Sequence, residues 1–241
     1  MLLNAGYQHF SFDLWLTLIR SNPAFKQERA KCFYQHFNFR NKPLDEVVAV
    51  FRQVDLMCNL INEKTGKNID ADEMYLMVLS IINDGDSRVW GIDIAELYAD
   101  MEALVFKYLP VAYCDETIGA LAHIKQQTGG TIGILSNTGF IRGVTLRKVL
   151  HQIGISEHVD FQLYSDETGM SKPNSGFFNL MLEELKAHHT EIDLKRVIHI
   201  GDNPIADIAG AQAVGIQSLL INSNNRYLPG FINNAYHLLA T

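Results

Sequence analysis

Short apolar runs alternate with longer amphipathic segments over much of the chain. The runs are rich in apolar and aromatic residues, which is typical of strands buried on both faces of a sheet. They cover 7–12, 131–135, 161–164, 197–200 and 216–221. Apolar residues at helical spacing predict helices over 116–127, 142–152, 175–187 and 204–214. This order of strands and helices predicts an α/β fold with a parallel sheet covered by helices on both faces.

The alternation stops between residues 23 and 109, where the pattern is helical throughout. Phe33 with Phe37 and Met74 with Val78 are apolar pairs one helical turn apart. Proline and glycine residues divide the segment into about four predicted helices. We therefore predict an all-helical domain over 21–110, inserted into a sheet domain that is made of 1–20 and 111–241.

The composition is that of a globular protein, with 241 residues of which 47% are hydrophobic and 20% charged. This length has room for one sizeable core and a smaller satellite domain. A net charge of -7 repels polyanions, and the chain has no long basic run, so no nucleic-acid partner is expected.

Nothing in the sequence predicts export or membrane insertion. The N-terminal segment lacks a basic region, and no stretch of about 18 apolar residues occurs. Cys32, Cys58 and Cys114 are far apart and odd in number, which favours free thiols in a reducing compartment. We therefore predict a cytoplasmic protein with no membrane partner.

Reactive side chains follow several of the predicted strands. Asp13 comes directly after the first run, Ser136 and Asn137 after the second, and Asp202 after the fourth. Ligands of an open parallel sheet bind beyond the carboxyl ends of its strands. We therefore expect these side chains to face one crevice.

The segment after Asp202 brings a further carboxylate to this crevice. Asn203 is a good N-cap and Pro204 a good first helical residue, so Asp207 is expected about one turn inside the helix. Clustered carboxylates repel one another unless a cation neutralises them, and Mg²⁺ suits an open site of oxygen ligands. Lys172, just ahead of another predicted helix, would add a second positive charge. Such a set is sufficient for phosphoryl transfer, in which positioning and charge neutralisation dominate.

Four segments in fixed order resemble the motifs of the haloacid dehalogenase-like hydrolase superfamily. They are FDLWLTL, ILSNT, SDETGMSKP and IGDNPIADIAGAQAVGI. The resemblance covers most of the chain and includes the helical insertion, which is similar to the cap of the capped members of that superfamily. It implies a Rossmann-like core with an inserted helical cap, and hydrolase activity.

The resemblance also implies roles for individual residues. Asp13 would attack phosphorus to form an aspartyl-phosphate, while Ser136 and Lys172 would hold the phosphate oxygens. Thr17 and Asn137 would belong to the same substrate-binding set. The implied partner is therefore a small phosphorylated molecule, whose identity depends on cap residues.

The implied cofactor is Mg²⁺. The resemblance assigns Asp202 to the metal together with Asp13, and Asp207 as a direct or water-mediated ligand. Trp15 would contribute its backbone carbonyl oxygen to the same metal.

Trp15 is also where the sequence departs from the superfamily, whose phosphatases have an aspartate that transfers protons at this position. An indole N–H does not titrate usefully and cannot serve as that acid or base. We favour a Mg²⁺-dependent phosphohydrolase that handles good leaving groups or borrows a proton-transfer group from Arg20, Lys26 or Arg29. The alternatives are a metal-free 2-haloacid dehalogenase, although the retained Asp202 argues against it, and a catalytically weak regulatory protein that binds phosphate.

Overall fold

The computed structural model describes residues 6–232, so residues 1–5 and 233–241 of the predicted sheet domain lie outside the described part. Its main sheet has five parallel strands in the order β5-β4-β1-β6-β7, and a separate antiparallel pair joins β2 to β3. The strands are β1 (His9–Phe12), β2 (Ile19–Arg20), β3 (Val111–Ala112), β4 (Thr131–Ser136), β5 (Phe161–Tyr164), β6 (Val197–Gly201) and β7 (Gln217–Leu220).

The strands of the main sheet form where the apolar runs predicted them. All four residues of β1 are buried, because this strand lies in the middle of the sheet with layers of side chains on both faces. In the register, Phe12 lies opposite Ile134 of β4 and Ile200 of β6. The carboxyl end of β1 therefore lies beside the last residues of β4 and β6.

Helices cover both faces of this sheet, as predicted. One hydrophobic cluster joins the sheet to α5 and α6, and another joins it to α8 and α9. The helices are α1 (Pro23–His36), α2 (Leu44–Thr65), α3 (Ala71–Ile82), α4 (Ile94–Lys107), α5 (Thr117–Thr128), α6 (Gly143–Gln152), α7 (Ser165–Thr168), α8 (Ser175–Leu185), α9 (Gly210–Ala213) and α10 (Leu228–Ile232). No helix within residues 6–232 is long and apolar enough to cross a bilayer.

Helices α1–α4 make up the predicted insertion and surround a hydrophobic cluster of their own. Local signals start several of these helices: Asn22 caps α1 ahead of Pro23, and Asp93 caps α4. The chain leaves and re-enters the core through β2 and β3, which the sequence did not predict because two-residue strands have no readable period. The domain boundaries at 21 and 110 stay a prediction.

The helix predicted over 204–214 begins differently from expectation. It starts as a π-helical turn over Pro204–Ala209 before it continues as α9. The Asp207 carboxylate turns back towards the end of β6 and accepts a hydrogen bond from the Asn203 backbone N–H at 2.9 Å. A Cβ at Gly201 would lie 2.2 Å from Asp207 Cγ, so only glycine leaves room for this carboxylate at the strand tip.

A buried histidine at the start of β1 makes the fold sensitive to acid. Burial, followed by the neighbouring His189, lowers the pKa of His9 to about 3. A buried neutral histidine stabilises the fold at pH values above its pKa in the unfolded chain, which is about 6.5. This stabilisation is lost as the pH falls towards the pKa in the folded state, because only the unfolded chain then takes up the proton. We expect the titration of His9 alone to lower the free energy of unfolding by roughly 2 kcal/mol when the pH is lowered from 7 to 5.

Urea unfolding of the wild type and His9→Gln at both pH values measures this effect. The variant should lose less stability than the wild type between pH 7 and pH 5. The matched control is His36→Gln, since His36 is an exposed histidine at the end of α1. Equal pH dependence of wild type and His9→Gln would contradict the prediction.

Candidate active site

Three carboxylates meet at the carboxyl end of the sheet. Asp13 follows β1, Asp202 follows β6, and Asp207 reaches them from the π-helical turn. Ligand oxygens from the three side chains lie within 4.8 Å of one another. The Asp13 backbone N–H donates to the Ile200 carbonyl at 2.9 Å, which extends the ladder between β1 and β6 and fixes where Asp13 lies. The structure therefore brings together the three aspartates that the sequence singled out.

Lys172 is the cation at the centre of this cluster. Its ammonium donates to Asp13 Oδ1 at 2.8 Å and to Asp207 Oδ1 at 2.7 Å. Only 1% of the lysine is exposed. Burial alone would lower its pKa, but the charges of Asp13 and Asp207 raise it overall, so the ammonium stays protonated.

The Asn137 side chain holds the backbone of Lys172. Its Oδ1 accepts from the Lys172 N–H at 2.7 Å, and its Nδ2 donates to the Lys172 carbonyl at 3.0 Å. This paired contact ties the end of β4 to the loop that carries the lysine. The amide of Asn137 is therefore occupied by backbone groups, although the residue also lines the cavity above the site.

Two polar side chains within the strands, neither of them predicted from the sequence, support Asp207. His199 Nε2 lies 3.1 Å from Asp207 Oδ1, and its Nδ1 lies 2.8 Å from the Ser11 hydroxyl. Ser11 and His199 are register partners on adjacent strands. A signal existed for His199, which is the one polar residue of an otherwise apolar run, and Ser11 lies between two buried phenylalanines.

The charges of the cluster do not balance. Burial raises the pKa of Asp13 to about 6. The charge of Lys172 opposes this shift, and the charge of Asp207 adds to it. Burial and the charge of Asp13 raise the pKa of Asp202 to about 7. Burial would also raise the pKa of Asp207, but Lys172 and His199 lower it overall. The site therefore holds more negative charge than one lysine neutralises.

This arrangement fits a small divalent cation. Carboxylate oxygens are hard ligands, and a cation would offset the burial and the mutual repulsion that raise the pKa values of Asp13 and Asp202. Asp207 already accepts three hydrogen bonds, from Lys172, His199 and the Asn203 N–H. Asp13 and Asp202 are therefore the better direct ligands, with Asp207 in support.

Ser136, Thr17 and Trp15 are the remaining residues assigned from the sequence, and of these Trp15 lines the cavity with the aspartates. Ser136 ends β4, and its buried hydroxyl donates to the Asn137 carbonyl at 3.0 Å. The Thr17 hydroxyl lowers the pKa of Asp13 from nearby, yet it has no partner of regular hydrogen-bond geometry among the described residues. Trp15 is partly buried and lines the cavity. The roles assigned to these residues stay predictions.

A cavity of about 540 Å³ opens above the aspartates, between the sheet domain and the helical insertion. Arg20, Lys26 and Arg29 all line it, together with residues of α2. Arginine stays protonated in proteins, so neither arginine can act as a general base there. The two arginines are therefore poor candidates to replace the acid or base missing at Trp15.

Known proteins with named activities match parts of the chain. A ribulose-1,5-bisphosphate 5-phosphatase of Halopiger xanaduensis is 37% identical over 97 residues, which are 40% of this chain and 37% of that protein. Pyrimidine 5'-nucleotidase YjjG of Escherichia coli is 30% identical over 117 residues, 48% of this chain and 49% of the nucleotidase. The chain thus spans less than half the length of either relative.

The similarity of fold extends over nearly the whole chain. The magnesium-bound structure of the HAD-hydrolase YfnB from Bacillus subtilis superimposes with a TM-score of 0.69 at 20% identity, and the match covers 98% of this chain and 99% of that one. The sequence profile of haloacid dehalogenase-like hydrolases matches residues 7–215. The chain therefore belongs to the haloacid dehalogenase-like hydrolase family, as its four motifs predicted.

Proposed function

We propose that this protein is a Mg²⁺-dependent phosphohydrolase that acts on a small phosphorylated molecule through an aspartyl-phosphate on Asp13. The observation that carries the proposal is the position of the Asp13 carboxylate, which touches Lys172 and lies beside Asp202 in one buried cluster. The phosphatase activities named for two relatives support the same class of substrate. We also place the protein in the cytoplasm, since Cys32, Cys58 and Cys114 are free thiols.

The reaction begins at the Asp13 carboxylate. One of its oxygens attacks phosphorus and forms a new P–O bond, while the bond from phosphorus to the leaving-group oxygen breaks. The leaving group departs with the electron pair and takes up a proton. Water then attacks the same phosphorus, the bond to Asp13 breaks, and inorganic phosphate leaves with the carboxylate regenerated.

The side chains around Asp13 bind the phosphoryl group in this scheme. Lys172 lies next to the nucleophile and would stabilise charge on the phosphoryl oxygens as the bonds rearrange. Ser136 and Thr17 would supply hydroxyl donors, and the buried Thr17 hydroxyl is still without a regular partner. Asn137 would act by holding Lys172 in place.

Asp13, Asp202 and the Trp15 backbone carbonyl are the proposed ligands of Mg²⁺. The ion, when bound, neutralises the carboxylates and withdraws charge from the phosphoryl oxygens. Asp202 has no such use in a metal-free dehalogenase, and its raised pKa marks it as a carboxylate in need of a cation. This favours a phosphohydrolase over a dehalogenase.

The proposal is tested with p-nitrophenyl phosphate, an ester with a good leaving group. With Mg²⁺ the purified protein should release inorganic phosphate, and a chelator should lower the rate at least about tenfold until Mg²⁺ is restored. Mg²⁺ should also raise the melting temperature of the wild type but not of Asp202→Asn. A rate unaffected by chelation, or halide release from 2-chloropropionate without metal, would overturn the proposal.

A further inference from the structure

Arg29, on helix α1 of the insertion, is a buried arginine enclosed by aromatic rings. It is 7% exposed. Its guanidinium carbon lies 4.2 Å from the centroid of the Phe51 ring, 4.4 Å from that of Phe140 and 5.2 Å from that of Phe25. Phe51 comes from α2, and Phe140 comes from the core loop after β4. The guanidinium is thus held in place at the boundary between the insertion and the core.

Arg29 forms no ion pair within residues 6–232, and its buried Nε lacks a hydrogen-bond acceptor there. Against the effect of burial, the charge of Asp55 raises the pKa of Arg29, but the salt bridge of Asp55 is with Arg52. The polar neighbour of Arg29 is Tyr75, whose hydroxyl donates to the Phe140 carbonyl at 3.1 Å. Burial lowers the pKa of Arg29, but an arginine remains charged in a protein. A buried cation of this kind is costly unless an anion pairs with it.

Other arginines of the insertion are paired, which makes the difference at Arg29 specific. Arg52 lies 3.4 Å from Asp55, and Arg88 lies 2.8 Å from Asp86. Arg88 is also stacked on a ring, 4.7 Å from the centroid of Phe39, but it has its carboxylate. Arg29 therefore differs from Arg88 in having ring contacts without an ion pair among the described residues.

Arg29 also lines the cavity that leads to Asp13 and Lys172. Arg20 and Lys26 line the same cavity, and neither makes a salt bridge within the described part of the chain. Asp55 and Glu63 also line this cavity, but neither forms a salt bridge with any of the three cations among the described residues. A molecule in the cavity can therefore supply the anion with which Arg29 pairs.

We propose that Arg29 binds a second anionic group of the substrate, a carboxylate or a phosphate remote from the phosphoryl group that reacts at Asp13. The planar guanidinium carries paired N–H donors that match two oxygens of such a group. The substrates are then phosphate monoesters with a second anionic group, and Arg29 is a specificity-determining residue. This inference rests on the proposed function, since it assumes that the cavity receives a phosphate ester.

Three matched phosphates test the proposal directly. Glycerol 3-phosphate, 3-phosphoglycerate and glycerol 1,3-bisphosphate share a three-carbon chain and carry a hydroxyl, a carboxylate or a phosphate at the far end. We expect kcat/KM for 3-phosphoglycerate or for glycerol 1,3-bisphosphate to exceed that for glycerol 3-phosphate roughly 10- to 100-fold, the range for a hydrogen bond to a charged group. The better of the two identifies the anionic group.

Arg29→Met should abolish this ratio, because methionine keeps apolar contact with the rings but has no charge. The readout is the ratio between matched substrates, which a purely structural role of Arg29 would leave unchanged. Arg88→Met is the control, since it removes a stacked arginine of the insertion at a distance from the cavity. It should keep the wild-type ratio. A wild type without preference, or a preference that survives in Arg29→Met, would overturn the inference.

Binding measurements keep the inference separate from the proposed function. Calorimetry with Asp13→Asn compares the affinities for 3-phosphoglycerate and glycerol 3-phosphate without turnover. If Arg29→Met is too unstable to purify, Arg29→Lys in the Asp13→Asn background serves instead, because it keeps the charge and loses the paired N–H donors. Hydrolysis of all three esters at equal kcat/KM would refute only the anion subsite. Preferential binding at Arg29 without hydrolysis by the wild type would refute only the proposed function.

Discussion

Asp13→Asn is expected to abolish phosphate release, with a loss of at least about 10⁴-fold on p-nitrophenyl phosphate. The substitution preserves the size of the side chain but removes the carboxylate that attacks phosphorus. It also replaces the charged oxygen that accepts from Lys172 at 2.8 Å with a neutral amide oxygen. The measurement is phosphate release at saturating substrate and Mg²⁺.

The same substitution should raise thermal stability in the absence of metal. Burial raises the pKa of Asp13 to about 6, above its ordinary value, so the ionised carboxylate weakens the fold once the pH rises through that range. A neutral asparagine is not repelled by the carboxylates of Asp202 and Asp207. At pH 7 the melting temperature of Asp13→Asn should therefore exceed that of the wild type, and at pH 4.5 the difference should shrink.

Asp84→Asn is the matched control for both readouts. Asp84 is an exposed carboxylate of the insertion that pairs with Lys42, and it lies outside the cavity. Its substitution should change neither phosphate release nor the pH dependence of stability. Full activity in a folded Asp13→Asn protein would exclude Asp13 as the nucleophile, and lower stability at pH 7 would show that its bond to Lys172 outweighs the repulsion.

The convergence of the three aspartates was predictable from local sequence. Apolar runs located β1 and β6, and the carboxyl ends of adjacent parallel strands necessarily lie side by side. The position of Asp207 followed from the capping signal of Asn203 and Pro204, although the π-helical form of that turn did not. The π-helical form depends on the close approach of the Asp207 carboxylate to Gly201, which is a tertiary contact.

Arg29 was harder to predict because its surroundings come from three separate segments. Phe25, Arg29 and Phe33 lie four residues apart along α1, so the sequence placed an arginine on the apolar face of the helix. That spacing was a usable signal of burial. The rings of Phe51 and Phe140, however, meet Arg29 only after the insertion packs against the core. Local periodicity does not contain such contacts.

The turn that carries Trp15 is built from backbone hydrogen bonds. The N–H groups of Leu18 and Ile19 donate to the Leu14 carbonyl at 2.9 and 3.0 Å, and the Leu16 N–H donates to the Ile19 carbonyl at 2.8 Å. Leu16 has a φ of 60°, so the chain reverses at that residue. Because none of these bonds involves the indole, a smaller side chain at position 15 should leave the turn intact.

Trp15→Asp is therefore expected to raise turnover of alkyl phosphates such as glycerol 3-phosphate by about 10²- to 10⁴-fold, the usual contribution of general acid–base catalysis. An alkoxide leaving group needs a proton as its bond to phosphorus breaks, and a carboxylic acid next to Asp13 can donate it. p-Nitrophenolate leaves without this help, so its rate of release should change little. The measurement is kcat for both esters, whose ratio reports on proton donation.

Two further variants separate proton transfer from the removal of a large ring. Trp15→Asn enlarges the cavity to the same extent but cannot donate a titratable proton, so it should not show the gain. Trp90→Asp makes the same chemical change at a residue that is 85% exposed and distant from the cavity, and it should behave as the wild type. An equal gain in Trp15→Asn would mean that the indole obstructs the substrate. No gain in a folded Trp15→Asp protein would mean that the wild type already has a proton donor in the cavity. Lys26 would then be the residue to substitute, because the arginines that line the cavity cannot release a proton there.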